Sequence, residues 1–404
     1  MTPAFDAKSG VWPREYLPHL KNKVIFFFCP RSTGKTTLLE NHYALLPSPT
    51  PEILYIDLLD PDQEEVYLRR PNTLKDILNE KAGQLSTVII DEVQKVPKLL
   101  DVVHYLIEKH KKIQFILTGS SARKLKHGGA NLLAGRAASF NLHPFTFIEL
   151  PDFKNEVELL SWGSLPKIFE FTTTTEKLRF LKSYVQTYLK QEIQLEQFVK
   201  NIISFREFLD FAAQINGEII NYSNIANKSG VDEKTISRYF EILIDTLVGF
   251  FLEPFSESIR QKQSQKPKFY LFDVGIARQM NHTLSADVVT GSSEYGKLFE
   301  QLIVCECFRL NDYKEKDYKF SYLRTADGAE IDLIVNKTKT QKVLIEIKST
   351  NRVTADDYKH LLSLGQDIKH TEKWVLCTEQ TSRKTTEGVR ILPWREGLKE
   401  LFDV

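Results

Sequence analysis

A chain of 404 residues is longer than one hydrophobic core can organise, and its length implies about two to four domains. With 42% hydrophobic and 26% charged residues it has the composition of a folded chain rather than a disordered one. The formal net charge of +1 excludes a global field that would attract a polyanion, so any nucleic-acid contact must come from local basic patches. The four cysteines, Cys29, Cys305, Cys307 and Cys377, form no CxxC, which argues against zinc and disulfides. The opening MTPAFDAKSG lacks a basic region followed by an apolar one, and no apolar run approaches the roughly 20 residues that span a bilayer. The expectation is a cytoplasmic protein with no membrane partner.

Residues 1–23 read as a short leader packing on the first strand. Val24–Phe28 has the length and β-rich composition of a buried strand, and CPRSTGKTT follows it directly before a helix-forming segment. Strand, loop and helix in that order suit a loop whose backbone N–H groups wrap a triphosphate, with a lysine on its oxygens and a hydroxyl on Mg²⁺. Gly34, Lys35 and Thr36 supply the end of GxxxxGK[ST]; Cys29 stands where the pattern has its first glycine, a departure that is tolerable if Cys29 keeps a negative φ. The candidate cofactor contacts are Cys29, Pro30, Arg31, Ser32, Thr33, Gly34, Lys35, Thr36 and Thr37. Ile53–Asp57 makes a second strand, and PDQEEVYLRRPNTLKDILNEKAG reads as helical with a loop at Pro71. TVIIDEVQ then delivers Asp91 and Glu92 at the end of a strand, where Asp91 suits the metal and Glu92 the attacking water. Gln114–Thr118 is the next strand. Thr118, Ser120 or Ser121 after it can sense the γ-phosphate, though TGSS reads equally as a plain turn. Arg136 precedes a fifth strand around Ser139–Leu142 and is either a surface arginine or a phosphate-reaching one. Such an arginine, acting in its own subunit or across a homo-oligomer, can add roughly 10³ to 10⁵ in rate.

The segments CPRSTGKTTLL, VIIDEVQKVPKLL, FILTGSSARKL and LLAGRAASFNLHPFTFIEL, in that order, resemble the prokaryotic P-loop ATPases of the AAA+/archaeal-ATPase group. GSLPKIFEF, YVQTYLKQEI, KFYLFDVGIAR and GKLFEQLIVCE extend the resemblance over nearly the whole chain. It implies an α/β multidomain protein: a P-loop ATPase core with a parallel sheet (1–150), a helical lid or connector (151–205), a winged helix-turn-helix-like middle (206–285) and a restriction-endonuclease-like α/β domain (286–404). ATP and Mg²⁺ are the implied cofactors.

Within the later segments, Glu176–Lys200 shows apolar residues at helical spacing. NYSNIANKSGVDEKTISRYFEIL fits a helix-turn-helix in which Ser223 and Asp232 cap the two helices, Gly230 makes the turn, and Ile236 and Tyr239 face the core. Lys234, Ser237 and Arg238 then lie on the outer face of the second helix, with Glu241 opposing phosphate beside them. SESIRQKQSQKPK reads as a wing offering Arg260, Lys262, Lys266 and Lys268 to DNA phosphates, although winged helices also serve as protein contacts alone.

The last third carries a second constellation. Glu300 lies near the start of a helix, KFSYLRTADGAEIDLIV is a hairpin with Asp332 on its returning strand, and Glu346 and Lys348 follow after a 13-residue gap. Strand alternation puts Glu346 and Lys348 on one face, beside Asp332. Two acids holding divalent metal and a lysine positioning water meet the needs of phosphodiester hydrolysis. The order resembles the PD-(D/E)xK nuclease core, which implies Glu300, Asp332 and Glu346 as ligands for Mg²⁺ or Mn²⁺. A solvated Glu–Lys pair on an edge strand is the plain alternative. Tyr358 and Lys359 are weaker candidates for supporting roles.

Overall fold

The computed structural model describes residues 23–42, 52–81, 83–119, 137–150, 153, 155–189, 202–256 and 266–404. The chain divides into two compact units. The first comprises Met1–Phe145, Glu149–Asp152 and Asp245–Leu247; the second comprises Thr146–Ile148, Phe153–Ile244 and Val248–Val404.

In the first unit β1 (Val24–Phe28), β2 (Ile53–Asp57), β3 (Thr87–Asp91), β4 (Gln114–Gly119) and β5 (Ala138–Asn141) form a parallel sheet in the order β2-β3-β4-β1-β5. All five residues of β1 and all five of β3 are buried, which is why both read as unbroken apolar runs rather than alternating ones. Helices α1 (Lys35–His42), α2 (Pro61–Arg69), α3 (Thr73–Glu80) and α4 (Leu99–Lys109) complete the described part. Leu74 and Leu78 of α3 and Leu99, Val103 and Leu106 of α4 share one apolar cluster with Phe26, Ile90 and Leu117 of the sheet. The fifth strand starts and ends one residue earlier than its composition predicts. Leu142 still donates its N–H to the Phe28 carbonyl at 2.8 Å, so the pairing runs on past the regular strand.

The second unit starts with helices: α5 (Glu156–Trp162), α6 (Thr174–Ser183), α7 (Ile202–Gln214), α8 (Tyr222–Ser229) and α9 (Glu233–Asp245). The helix expected over Glu176–Lys200 is regular only to Ser183; a wider, π-type turn follows over Tyr184–Leu189, and the rest lies outside the described residues. Phe208, Phe240 and Phe269 pack edge-on in the middle of this unit's core, with the Phe208–Phe240 and Phe240–Phe269 ring centroids 4.8 and 4.9 Å apart, and Tyr239 lies tilted against Phe208. After α9 come β6 (Gly249–Pro254), β7 (Lys268–Leu271), α10 (Val274–Met280), α11 (Ser293–Tyr313), β8 (Lys319–Arg324), β9 (Glu330–Asn336), β10 (Lys342–Ile347), α12 (Lys359–Leu364), β11 (Thr371–Cys377), β12 (Arg383–Lys384), β13 (Arg390–Pro393) and α13 (Trp394–Phe402).

The eight strands form one mixed sheet in the order β12-β13-β11-β10-β9-β8-β6-β7. The strands flanking the expected wing thus continue the C-terminal sheet: β6 pairs with β7 on one side and, in parallel, with β8 at Glu253 and Pro254 on the other. A strand edge left unpaired there would expose its N–H and C=O groups, and the sheet removes that edge by running on across the expected boundary at residue 286. The first helix of the helix-turn-helix is capped by Asn221 rather than Ser223. Asn221 Oδ1 accepts the Asn224 N–H at 3.2 Å, while Ser223 already lies within the first turn and its hydroxyl donates to Asn221. Asp232 caps α9 through the Thr235 N–H at 2.9 Å, Gly230 takes φ +66°, and Ile236 and Tyr239 are buried.

Candidate functional sites

At the carboxyl end of β1 the backbone turns through Cys29–Thr33 into α1. Ser32 (φ 60°) and Gly34 (φ 87°) adopt left-handed conformations, Thr33 Oγ1 donates to the Pro30 carbonyl at 2.9 Å, and the first helical bond runs from the Leu38 N–H to the Gly34 carbonyl. Such alternation turns successive N–H groups inward at a helix N-terminus, which makes an anion cradle. Cys29 is absent from the residues with positive φ, so its side chain is accommodated where the motif has glycine. Its N–H donates to the Gly119 carbonyl at 3.3 Å, and burial pushes its thiol up to about 11, leaving it neutral at pH 7. Thr36 and Thr37 are exposed in the first turn of α1, as is Arg31 in the loop.

Lys35, only 9% exposed, points at the end of β3. Its Nζ lies 2.8 Å from Asp91 Oδ1 and also pairs with Glu92. Burial alone would lower the lysine's pKa; the negative groups around it outweigh burial and raise it, so Lys35 stays charged. Strand β4 lies between β1 and β3 and supplies the connection: the Thr118 hydroxyl donates to Asp91 and accepts the Glu92 N–H at 3.1 Å. Glu92 itself has φ 58°, a costly conformation for a residue with a Cβ, and Gln94 Nε2 donates to its second carboxylate oxygen. The buried lysine, the loop N–H groups and the two acids fit a magnesium-bound triphosphate. Sequence reasoning missed Gln94, and also Tyr55, whose hydroxyl donates to Asp91 at 3.3 Å. Arg136, Ser120 and Ser121 lie outside the described residues.

The second unit has a pocket of about 330 Å³ whose lining includes Lys268, Glu300, Glu330, Asp332, Glu346, Lys348 and His360. Strand periodicity places them. Glu330 and Asp332 are two apart on β9, Lys268 and Tyr270 two apart on β7, and Glu346 and Lys348 two apart at the end of β10. Asp332 Oδ2 accepts the Ile347 N–H at 2.7 Å, and Lys348 Nζ lies 2.8 Å from Glu346 Oε1. Burial, reinforced by Glu346 and Glu300, holds Asp332 well above the usual carboxylate range. Burial likewise pushes Glu346 up to about 7 against the opposing pull of Lys348. Glu300, on α11, accepts the Tyr270 O–H at 2.6 Å and lies 3.3 Å from Lys268 Nζ. Among the described residues no three His, Cys, Asp or Glu side chains stand ready grouped to hold a metal ion.

Two sequence expectations are corrected here. Lys268, expected on the wing facing DNA phosphates, is 4% exposed and pairs with Glu300 and Glu330, because it lies on the buried strand β7 rather than in the loop before it. Tyr358, expected in a supporting role, packs in an apolar cluster with Leu361 and Val375. Lys268, Tyr270, Glu330 and His360 were missed, although the period of two in KFY and EID carries the signal for the first three. On α9, Lys234, Arg238 and Glu241 are exposed and Ser237 is half-buried; Arg260 and Lys262 lie outside the described residues.

Residues 21–151 match the family model of an AAA domain, residues 154–287 a domain of unknown function, and residues 295–396 another domain of unknown function. Uncharacterized proteins of Mycobacterium bovis and Mycobacterium tuberculosis are each 24% identical over 318 residues, 77% of this chain and 67% of theirs. Among solved structures, Cdc6p of Pyrobaculum aerophilum aligns with TM-score 0.27 and 10% identity over 65% of this chain and 86% of its own. AMPPCP-bound DnaA of Aquifex aeolicus aligns with TM-score 0.29 and 15% identity over 55% and 81%. The family-model match over residues 21–151 places an AAA domain in the first unit. Among the described residues no helix is long and apolar enough to cross a membrane.

Proposed function

We propose that this protein hydrolyses ATP at the loop after β1, engages DNA through α9 and the basic segment between β6 and β7, and cleaves phosphodiesters in the acidic pocket of the second unit. The observation that carries the ATPase reading is the approach of Lys35 to Asp91 and Glu92 across β4. When nucleotide binds, Lys35 exchanges its carboxylate partners for phosphate oxygens. That exchange would free Glu92 to orient a water, and Asp91 with the Thr36 hydroxyl would hold Mg²⁺. Bound Mg²⁺ supplies neutralisation of the charge on the transferring phosphoryl group.

The nuclease reading is supported by Asp332, Glu346 and Lys348 lining one pocket with Glu300. Asp332 and Glu346 would hold a divalent cation, Mg²⁺ or Mn²⁺, which supplies Lewis acidity and a more acidic bound water. Lys348, fixed on Glu346, would position the water. The absence of a ready three-ligand cluster among the described residues favours one second reading, a nucleotide switch whose pocket binds a partner without cutting it. Cleavage of single- and double-stranded DNA by the full chain with Mg²⁺ or Mn²⁺, with and without ATP, separates the two. Cutting that disappears in Glu346→Ala supports the nuclease, and no cutting in any condition leaves the switch.

A further inference from the structure

The acids of the second unit's pocket fall into two sets. Glu300 and Glu330 are engaged by Lys268, which is 4% exposed and reaches Glu300 Oε1 at 3.3 Å while pairing with Glu330. The same Glu300 oxygen accepts the Tyr270 O–H at 2.6 Å, and Glu330 meets Arg324 at 3.5 Å. Their carboxylate charge is spent within the protein. The other set is Asp332 and Glu346. Lys348 covers one oxygen of Glu346, at 2.8 Å; the other, Oε2, is buried in a residue only 5% exposed and has no hydrogen-bond partner among the described residues. A buried carboxylate oxygen without a donor is costly unless something cationic meets it.

We infer that Lys268 is a resident cation that takes Glu300 and Glu330 out of metal coordination, so that the pocket accepts one divalent cation, on Asp332 and Glu346, and has no free carboxylates to hold a second. Lys268 is a positioning residue in this scheme. An ammonium between two carboxylates engages the ligands that a second metal ion would need, and its burial on β7 prevents it from swinging away into solvent. A pocket with one cation suits a substrate whose own phosphate brings the remaining ligands. The inference rests on the metal-dependent reading of the pocket proposed above.

The test is Mn²⁺ titration of the nucleotide-free full chain, followed by calorimetry and by electron paramagnetic resonance, beside Lys268→Met, Lys268→Arg, Glu300→Gln and Glu346→Gln. One Mn²⁺ per chain is expected, lost in Glu346→Gln, kept in Lys268→Arg and raised to two in Lys268→Met. Glu300→Gln should leave the affinity within about two-fold, whereas loss of a true ligand or its orienting partner costs about 10- to 100-fold. That variant tests the idea even if Lys268→Met does not fold. Two Mn²⁺ in the wild type, one in folded Lys268→Met, or a ten-fold or larger loss in Glu300→Gln overturns the role of Lys268 and leaves the metal reading standing. No Mn²⁺ displaced by Glu346→Gln overturns the metal reading itself.

Discussion

Lys35 and Glu346 are both buried charged residues, and the structure keeps each charged or neutral by different means. Lys35 has two acids within reach, so it remains cationic; on the proposed ATPase reading Glu92, held by Lys35 and Gln94, becomes available as a base only when nucleotide draws the lysine away. Glu92→Gln should therefore bind ATP with near wild-type affinity while single-turnover hydrolysis falls by about 10²-fold or more, the usual yield of a positioned base. Equal losses in binding and turnover would remove Glu92 from that role. Glu346 is the opposite case. Its pKa rises on folding from an ordinary 4.5 to about 7, so the folded state binds more protons than the unfolded one between those values. Stability must then fall as pH rises from about 4.5 to 7, with the full penalty present above 7 and none below 4.5. Without added metal, the thermal midpoint of the wild type should decline across that window. Glu346→Gln should reduce the decline, leaving the part that Asp332, shifted in the same direction, contributes.

Among the elements, those whose residues repeat a strong local pattern could be read from the sequence. Val24–Phe28 and Ile53–Asp57 match residue for residue, because an apolar run between loop formers leaves little choice of register. The end of β3 at Asp91 and Glu92, and the capping of α9 by Asp232, follow from single residues whose chemistry is local. What could not be read were the contacts made at long range. Lys268 joins Glu330 across 62 positions of chain; the period of two in KFY can place Lys268 on a strand, but nothing local names the partner it meets. The Asn221 cap is a local miss: Ser223 and Asn221 are both good caps, and an offset of two residues cannot be resolved from composition. Asn221→Ala should lower the stability of the second unit by about 1 kcal/mol and Ser223→Ala by clearly less, as read by chemical denaturation. The exposed face of α9 gives the test of DNA engagement. Lys234→Ala and Arg238→Ala should weaken binding by similar factors for all sequences and reduce the salt dependence by about one counterion per contact removed. A sequence-selective loss would assign these side chains to bases, and an unchanged affinity would make α9 a protein-contact surface.

At the scale of the whole molecule, the two candidate chemistries lie in units with separate cores. The loop after β1 and its acids are supported by Phe26, Ile90, Leu99 and Leu117, whereas the strands beneath Asp332 and Glu346 are supported by Ile331, Ile334, Leu344 and Val375. A side-chain change that leaves each core intact should thus abolish one chemistry without destabilising the other unit. Glu346→Gln is expected to keep wild-type ATP turnover while losing metal-dependent cleavage, and Lys35→Ala to keep Mn²⁺ binding at the acidic pocket while losing nucleotide. Cleavage rate is the quantity that decides whether the units communicate. If Lys35→Ala cuts DNA as fast as the wild type with ATP present, the nucleotide site does not govern the pocket. If the cut slows at least about ten-fold while Mn²⁺ affinity is unchanged, a difference of about 1.4 kcal/mol in the barrier is set by nucleotide and not by the metal site, and the ATPase acts as the regulator of the second unit.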